Sequence, residues 1–295
     1  MKQVVVLSGK GGTGKTTVTA ALVEQAGRAM IADCDVEAPN LHLLLKPRTS
    51  RSYTMSVSRR ASIDPGLCTR CGECEGACRF GAIREFRVEK HVCEGCGLCE
   101  RLCPAGAVSM EDQEGGEVFI GETRCGKMVW ACLAVGEEAS GKVVSQVRME
   151  AQALAVEEGY DLLLVDGSPG IGCPVIASVT GADLALMVAE PTLSGRHDLV
   201  RALETAAFFR IPSLVCINKC DVNEVEAERI RAECSSRGVE VVAEIPYLEE
   251  LAEAARLCVT PLEALEGEAA LPLRKLFQKV MERIGLPASQ TGASH

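Results

Sequence analysis

The chain has 295 residues, 47% hydrophobic and 3% aromatic, with a formal net charge of -10. That is enough apolar material for one large α/β domain and a small second module. The negative balance repels phosphate backbones and anionic lipid, and so few rings leave little platform for stacking bases, so no nucleic-acid partner is expected.

No run of about eighteen uncharged apolar residues occurs, and Met1 leads straight into an apolar strand-like run at 4–7 without a signal-peptide layout. The expected compartment is the cytoplasm. Sixteen cysteines are too many for an ordinary cytosolic chain. Without an export signal a disulfide framework is not expected, and metal or redox chemistry becomes the leading reading.

In chain order, the first strand runs into Gly9-Lys10-Gly11-Gly12-Thr13-Gly14-Lys15-Thr16-Thr17 and then a helix-compatible stretch to Gln25. This is the phosphate-binding G-x-x-x-x-G-K-[ST] pattern in its strand-to-helix setting. Backbone N–H groups of Gly11, Gly12, Thr13 and Gly14 can curl around a phosphate, Lys15 can neutralise the β and γ oxygens, and the Thr16 hydroxyl can reach Mg²⁺. Asp33 and Asp35 follow at the end of the next apolar run. Either could simply end a strand or cap a helix.

From 51 to 112 the strand-helix rhythm gives way to short Cys- and Gly-rich units, flanked by polar stretches at 49–60 and 111–117. Cys68, Cys71, Cys74 and Cys78 are echoed by Cys93, Cys96, Cys99 and Cys103 about twenty-five residues later, an internal duplication. Three cysteines at i, i+3 and i+6, with a fourth after three more residues, match the two-cluster bacterial ferredoxin, where the fourth cysteine of each run ligates the other cluster. The expected sets are Cys68, Cys71, Cys74 and Cys103 for one [4Fe-4S] cluster, and Cys93, Cys96, Cys99 and Cys78 for the second. Gly72, Gly76, Gly95 and Gly97 suit tight turns around sulfur. Paired zinc sites are the alternative, but zinc usually takes two separated cysteine hooks per metal. Pro104 follows Cys103 as in ferredoxins; Arg79 replaces the corresponding proline of the first run.

Beyond the insertion, alternation around Val118, Ile120, Met128 and Trp130 suggests a hairpin returning to the main sheet. Cys125 and Cys132 would converge only if the chain turned between them. Apolar runs at 162–165, 184–189, 214–217 and 239–245, with helix-like stretches at 196–209 and 224–237, argue for a doubly wound, mostly parallel α/β sheet. Asp166 ends one of these strands. Cys34, Cys173, Cys216, Cys220, Cys234 and Cys258 are isolated and read as small buried hydrophobes; Cys173 could also meet a second copy around a shared metal. Leu273, Leu276, Phe277, Val280, Met281 and Ile284 form one helical face, for docking on the sheet or, less simply, on a membrane.

With Lys10 completing K-G-G-T-G-K-T-T, the chain resembles the deviant Walker A ATPases, which include MinD, ParA, Mrp and the nitrogenase iron protein. The resemblance implies an ATP-dependent homodimer in which Lys10 reaches the partner's nucleotide. It implies that Asp35 orients the attacking water and the Mg²⁺ shell, so that Lys10, Lys15 and Asp35 are the catalytic set. It also implies that Thr16, Asp35 and Asp166 hold Mg²⁺, that Gly167-Ser168-Pro169-Gly170 forms switch II, and that Asn218 contacts adenine. With Gly136 to Lys142 and Glu190-Pro191-Thr192, the chain as a whole resembles MinD-superfamily ATPases carrying an inserted ferredoxin domain.

The expected organisation is a P-loop ATPase at 1–55 and 113–295 interrupted by a small α+β ferredoxin-like domain at 56–112. The expected function is ATP binding and hydrolysis that gates electron transfer through two [4Fe-4S] clusters to a redox partner protein. An Mrp-like cluster carrier feeding an iron-sulfur acceptor is the alternative, and MinD-like positioning at a membrane stands third. Cysteines in a retained ferredoxin spacing, with no C-x-x-C pair after Cys99, favour electron transfer.

Overall fold

The computed structural model describes residues 1–134 and 141–288. The described chain divides into two compact units. One holds Met1–Tyr53, Val118–Leu133 and the described residues from Gly141 onward; the other is built on Thr54–Glu117.

The first unit begins with β1 (Lys2–Leu7), α1 (Lys15–Ala26), β2 (Met30–Asp33), α2 (Leu41–Leu45) and β3 (Arg48–Ile63), which passes into the second unit after Tyr53. There follow α3 (Glu73–Ala77), β4 (Ile83–Arg84), β5 (Arg87–Val88) and α4 (Leu98–Leu102). β6 (Val108–Thr123) re-enters the first unit at Val118, and β7 (Gly126–Leu133) completes a hairpin through Arg124 and Cys125. The rest alternates: α5 (Gly141–Glu157), β8 (Leu162–Asp166), α6 (Cys173–Val179), β9 (Leu184–Ala189), α7 (Leu193–Phe208), β10 (Ser213–Asn218), α8 (Glu224–Ser236) and β11 (Glu240–Ile245). Then come α9 (Glu249–Arg256), α10 (Pro261–Ala264) and α11 (Leu271–Ile284).

Among the described residues the main sheet has the order β11-β10-β9-β1-β8-β2-β7-β6-β3. β1 pairs in parallel with β8 and β9, β10 with β9 and β11, and β2 with β7 and β8. The central strands are apolar without alternation because helices cover both faces; Val4, Val5, Val6, Leu163, Leu184 and Leu186 are all fully buried. The doubly wound α/β expectation and the hairpin both hold.

Two expectations need correction. The stretches 49–60 and 111–117, taken as polar flanks, lie in the long strands β3 and β6. β3 is the sheet's edge and much of it is solvated, so its polar side chains read as loop. The period-two burial of Met55, Val57 and Ala61 was the available signal. Gly76, expected in a turn, lies inside α3.

The helix α5 had no counterpart in the sequence reading, although Val144, Val147, Arg148, Ala151 and Ala155 are buried at helical spacing. Of the segment 136–142 that carried part of the resemblance, 136–140 lie outside the described residues. α11 buries all six of its expected face residues in the same core as Ile245 and Leu22, so that face is spent on docking. Among the described residues no helix is long and apolar enough to cross a membrane.

The second unit carries the duplication into three dimensions. α3 and α4 begin after left-handed Gly72 (φ 82°) and Gly97 (φ 71°), and end at Cys78 and Cys103 in nearly the same extended geometry.

Candidate functional site

The parallel order β10-β9-β1-β8-β2 brings five strand ends to one edge, where a ligand crevice is expected in an open α/β sheet. The loop after β1 lines a cavity of about 480 Å³ together with Asp35 and Pro169. Gly14 opens α1 in the left-handed region (φ 91°), and a Cβ there would come within 2.2 Å of the Asn218 side-chain nitrogen. Asn218 in turn donates to the Thr13 carbonyl at 2.8 Å, holding the P-loop against the end of β10.

Lys15 donates to Asp166 Oδ1 at 2.7 Å and lies 3.5 Å from Asp35. The Thr16 hydroxyl donates to the other Asp166 oxygen at 2.7 Å, and Thr19 donates to Asp166 at 3.0 Å. Burial works against the Lys15 charge, but Asp166 and Asp35 outweigh it and hold the ammonium above its usual range. Burial raises the Asp35 carboxyl, Lys15 only partly offsetting this. Two carboxylates on one cation, with the Thr16 hydroxyl on one of them, are a donor set suited to Mg²⁺, which takes one or two carboxylates and leaves other positions to phosphate and water. Asp33 is fully buried and accepts the N–H groups of Asp35 (3.1 Å) and Leu41 (3.2 Å), a structural role. Burial, with Asp166 nearby, pushes its carboxyl well up.

The segment 167–170, expected as switch II, is tied in from both sides. Gly170 donates to the Ser8 carbonyl at 2.9 Å, and the Ser168 hydroxyl donates to the Cys34 carbonyl at 2.6 Å. A Cβ on Gly167 would meet Leu7 at 2.5 Å, which explains a glycine there. Lys10 lines the same cavity, but its ammonium is paired with Glu190 and lies 3.3 Å from the hydroxyls of Thr192 and Ser194.

A second cavity of about 340 Å³ adjoins the P-loop, walled by Thr17, Asn218, Lys219, Pro246, Tyr247 and Leu248. Of this wall, sequence reasoning had named Thr17 as part of the P-loop and Asn218 as the adenine contact. The stretch after β11 was missed, although a proline and an aromatic directly after a parallel strand were a legible signal.

In the second unit Cys78, from the first run, lines one cavity of about 300 Å³ with Cys93, Cys96 and Cys99 of the second. Arg79 and Phe80 border it. Cys74 has Cys103 and Cys68 as electrostatic neighbours; Cys71 is exposed. Backbone N–H groups point at sulfur, from Ala107 to Cys103 at 3.2 Å and from Ala61 to Cys93 at 3.5 Å. Such hydrogen bonds hold the Cys103 thiol below its usual range, favouring thiolate. Among the described residues no three His, Cys, Asp or Glu side chains converge as ligands of a single metal ion. A multi-iron cluster spreads its thiolates over several metal atoms, and the cavity lined by Cys78, Cys93, Cys96 and Cys99, with the Ala61 N–H on Cys93, suits such a group.

Cys125 sits in the β6–β7 turn and Cys132 near the far end of β7, both packed on the main core. Burial raises the thiols of Cys216 to about 12 and Cys234 to about 11, and Cys34 higher, consistent with inert core residues. Cys173 is exposed at the start of α6.

Residues 4–257 match the family described as the CobQ/CobB/MinD/ParA nucleotide binding domain. An uncharacterized protein of Methanocaldococcus jannaschii, MJ0578, is 35% identical over 76% of this chain and 80% of its own length. Among solved structures, the cell division ATPase MinD of Pyrococcus furiosus superposes with a TM-score of 0.58 at 17% identity, covering 95% of this chain and 98% of that one. An ATP complex of McdA(D38A) from Cyanothece gives 0.58 at 18% identity, covering 97% of each chain. At these identities the structural likeness concerns the fold; the iron-sulfur reading rests on this chain's own cysteines.

Proposed function

Because the chain belongs to the CobQ/CobB/MinD/ParA nucleotide-binding family, we propose that it hydrolyses ATP and that its nucleotide state gates electron transfer through two [4Fe-4S] clusters to a protein partner. Family membership carries the ATP-binding half. The redox half is supported by one observation above all: Cys78 shares a cavity with Cys93, Cys96 and Cys99, the crossed arrangement of two-cluster ferredoxins. Cys68, Cys71, Cys74 and Cys103 would hold the other cluster. When bound, such clusters take up and pass on single electrons.

At the nucleotide, the P-loop N–H groups and Lys15 bind the phosphates, and Thr16, Asp35 and Asp166 hold Mg²⁺. Asp35 orients the attacking water. Lys15 must then exchange its Asp166 contact for phosphate oxygens, so nucleotide binding alters charge at the ends of β2 and β8 together. From Asp35 the chain runs through α2 and β3 into the cysteine-rich unit, which gives order in the switch a covalent path to the redox centres. An ATP-dependent homodimer, with Lys10 meeting the partner's nucleotide, belongs to the same reading, as does a ferredoxin-like inserted domain at 56–112.

Anaerobic spectroelectrochemistry with and without ATP, and with a non-hydrolysable analogue, tests this. The as-isolated protein should carry about eight iron atoms, and ATP should change the midpoint potential or the rate of partner reduction. A titration indifferent to nucleotide would sink the gating. Transfer of iron to an apo-acceptor on adding ATP would instead favour the carrier alternative, to which the exposed Cys71 and Cys96 are suited.

A further inference from the structure

Glu190 stands at the end of β9, between the strands that deliver Lys10 and Lys219 to the mouth of the P-loop. β10, β9 and β1 are consecutive neighbours, so one carboxylate on the middle strand reaches a lysine on either side. One of its oxygens pairs with Lys10 and the other accepts from Lys219 at 3.2 Å. Lys219, held in the left-handed region (φ 56°), also donates to the Gly12 carbonyl at 3.0 Å. The carboxylate is more enclosed than either lysine, 16% exposed against 32% for each. Its burial favours the neutral acid, but the two lysines prevail and keep it ionised. Lys10 and Lys219 line the two cavities of the nucleotide site.

We propose that Glu190 is a positioning residue that competes with nucleotide phosphate for Lys10 and Lys219, so that tight ATP binding requires both lysines to leave it. Two cations share one anion here, and a phosphate that draws Lys10 toward the P-loop takes it from Glu190 as well as from the Thr192 and Ser194 hydroxyls. Thr192 and Ser194 then act as the hydroxyl rest for the lysine in its held position. Glu190 sets the threshold of nucleotide affinity without touching the reacting atoms. The inference deepens the ATP-binding reading and rests on it.

Calorimetric titration of the full chain, purified anaerobically, with ATP and with AMP provides the test. Glu190→Gln keeps the size and hydrogen bonding of the side chain and removes its charge. It should bind ATP about tenfold tighter, with AMP changed by less than about twofold, since the released lysines act on the outer phosphates. Most of the gain should vanish in a Lys10→Met background, and Glu190→Asp, which keeps the charge, should stay near wild type. A purely structural Glu190, needed to brace Lys219 against Gly12, gives the opposite sign: weaker ATP binding by Glu190→Gln. That outcome, an unchanged affinity, or a gain of equal size in Lys10→Met would overturn the proposal.

A second measurement uses the wild-type chain and needs no variant to fold. The Glu190 carboxyl carbon, followed by NMR, should titrate below the ordinary glutamate range without nucleotide and move up when ATP is saturating; an unmoved titration counts against the competition. A wild-type chain that binds no ATP at all defeats the nucleotide reading itself, whereas normal wild-type binding with an indifferent Glu190→Gln defeats only the competition.

Discussion

Around the P-loop, β1, β8, β9 and β10 lie in a core that runs on through α1 and α11, with Leu22, Leu164, Leu186, Leu214 and Leu276 at 2% exposure or less. In Thr54–Glu117 the corresponding buried cluster is Ala61, Cys74, Ala82, Ile83, Cys93 and Val108, in which two of the six members are proposed cluster ligands. The first unit can pay for its ordering with buried hydrocarbon. The second has little to bury, and small domains in that position lean on metal or disulfides, since a core of that size supplies only about 3–5 kcal/mol. Nucleotide chemistry thus sits on a self-sufficient scaffold, and the proposed redox centres on one that would lean on its cofactor.

The most severe way to break this comparison is to remove the proposed iron. Chelation under reducing conditions should lower hydrogen-exchange protection across Thr54–Glu117 by about a hundredfold or more, while β1, β8 and β9 keep theirs and ATP still binds. Undiminished protection in the cysteine-rich unit would show that its protein core suffices.

Charge burial sharpens the contrast from the other side. Lys15→Met leaves Asp166, fully buried, without its cation. It should cost about 3–5 kcal/mol in urea unfolding of the first unit and abolish ATP binding, with iron content unchanged. Equal loss of iron would argue that the units do not fold separately.

The smallest effect concerns the hairpin turn. Arg124 bonds Glu263, holding that carboxyl down at about 2 from an ordinary 4.5, and reaches Glu24 on α1. Because the folded value is depressed, this stabilisation is complete above about pH 4.5 and is lost as pH falls toward 2. Arg124 is half exposed and Glu263 41% exposed, so the contribution stays below about 1 kcal/mol. Arg124→Met should flatten that part of the acid limb in unfolding measurements of the first unit, leaving exchange in Thr54–Glu117 unchanged. A full-sized acid slope in the variant would assign it to other carboxylates.

The P-loop was legible because its glycines and Lys15 act within one turn of backbone, so spacing alone states the geometry. Asp33, for which ending a strand or capping a helix was one reading, serves neighbouring N–H groups. β3 and β6 were not legible as strands along their full length: their polar faces are solvated, and their pairing with each other at the end of the sheet defines them more than the sparse alternation of Met55, Val57 and Ala61. Glu190 was quoted only as part of a resemblance, because nothing near it in sequence discloses two lysines.

By itself the sequence determined the chemistry available at each point: a phosphate loop, two runs of thiols at cluster spacing, and carboxylates at strand ends. Those are short-range properties, carried by residues whose separation the backbone limits. Only the tertiary structure decided which distant groups meet. Glu190 faces Lys10 and Lys219 because β9 lies between β1 and β10, and sheet order is settled by how the whole chain buries its apolar surface.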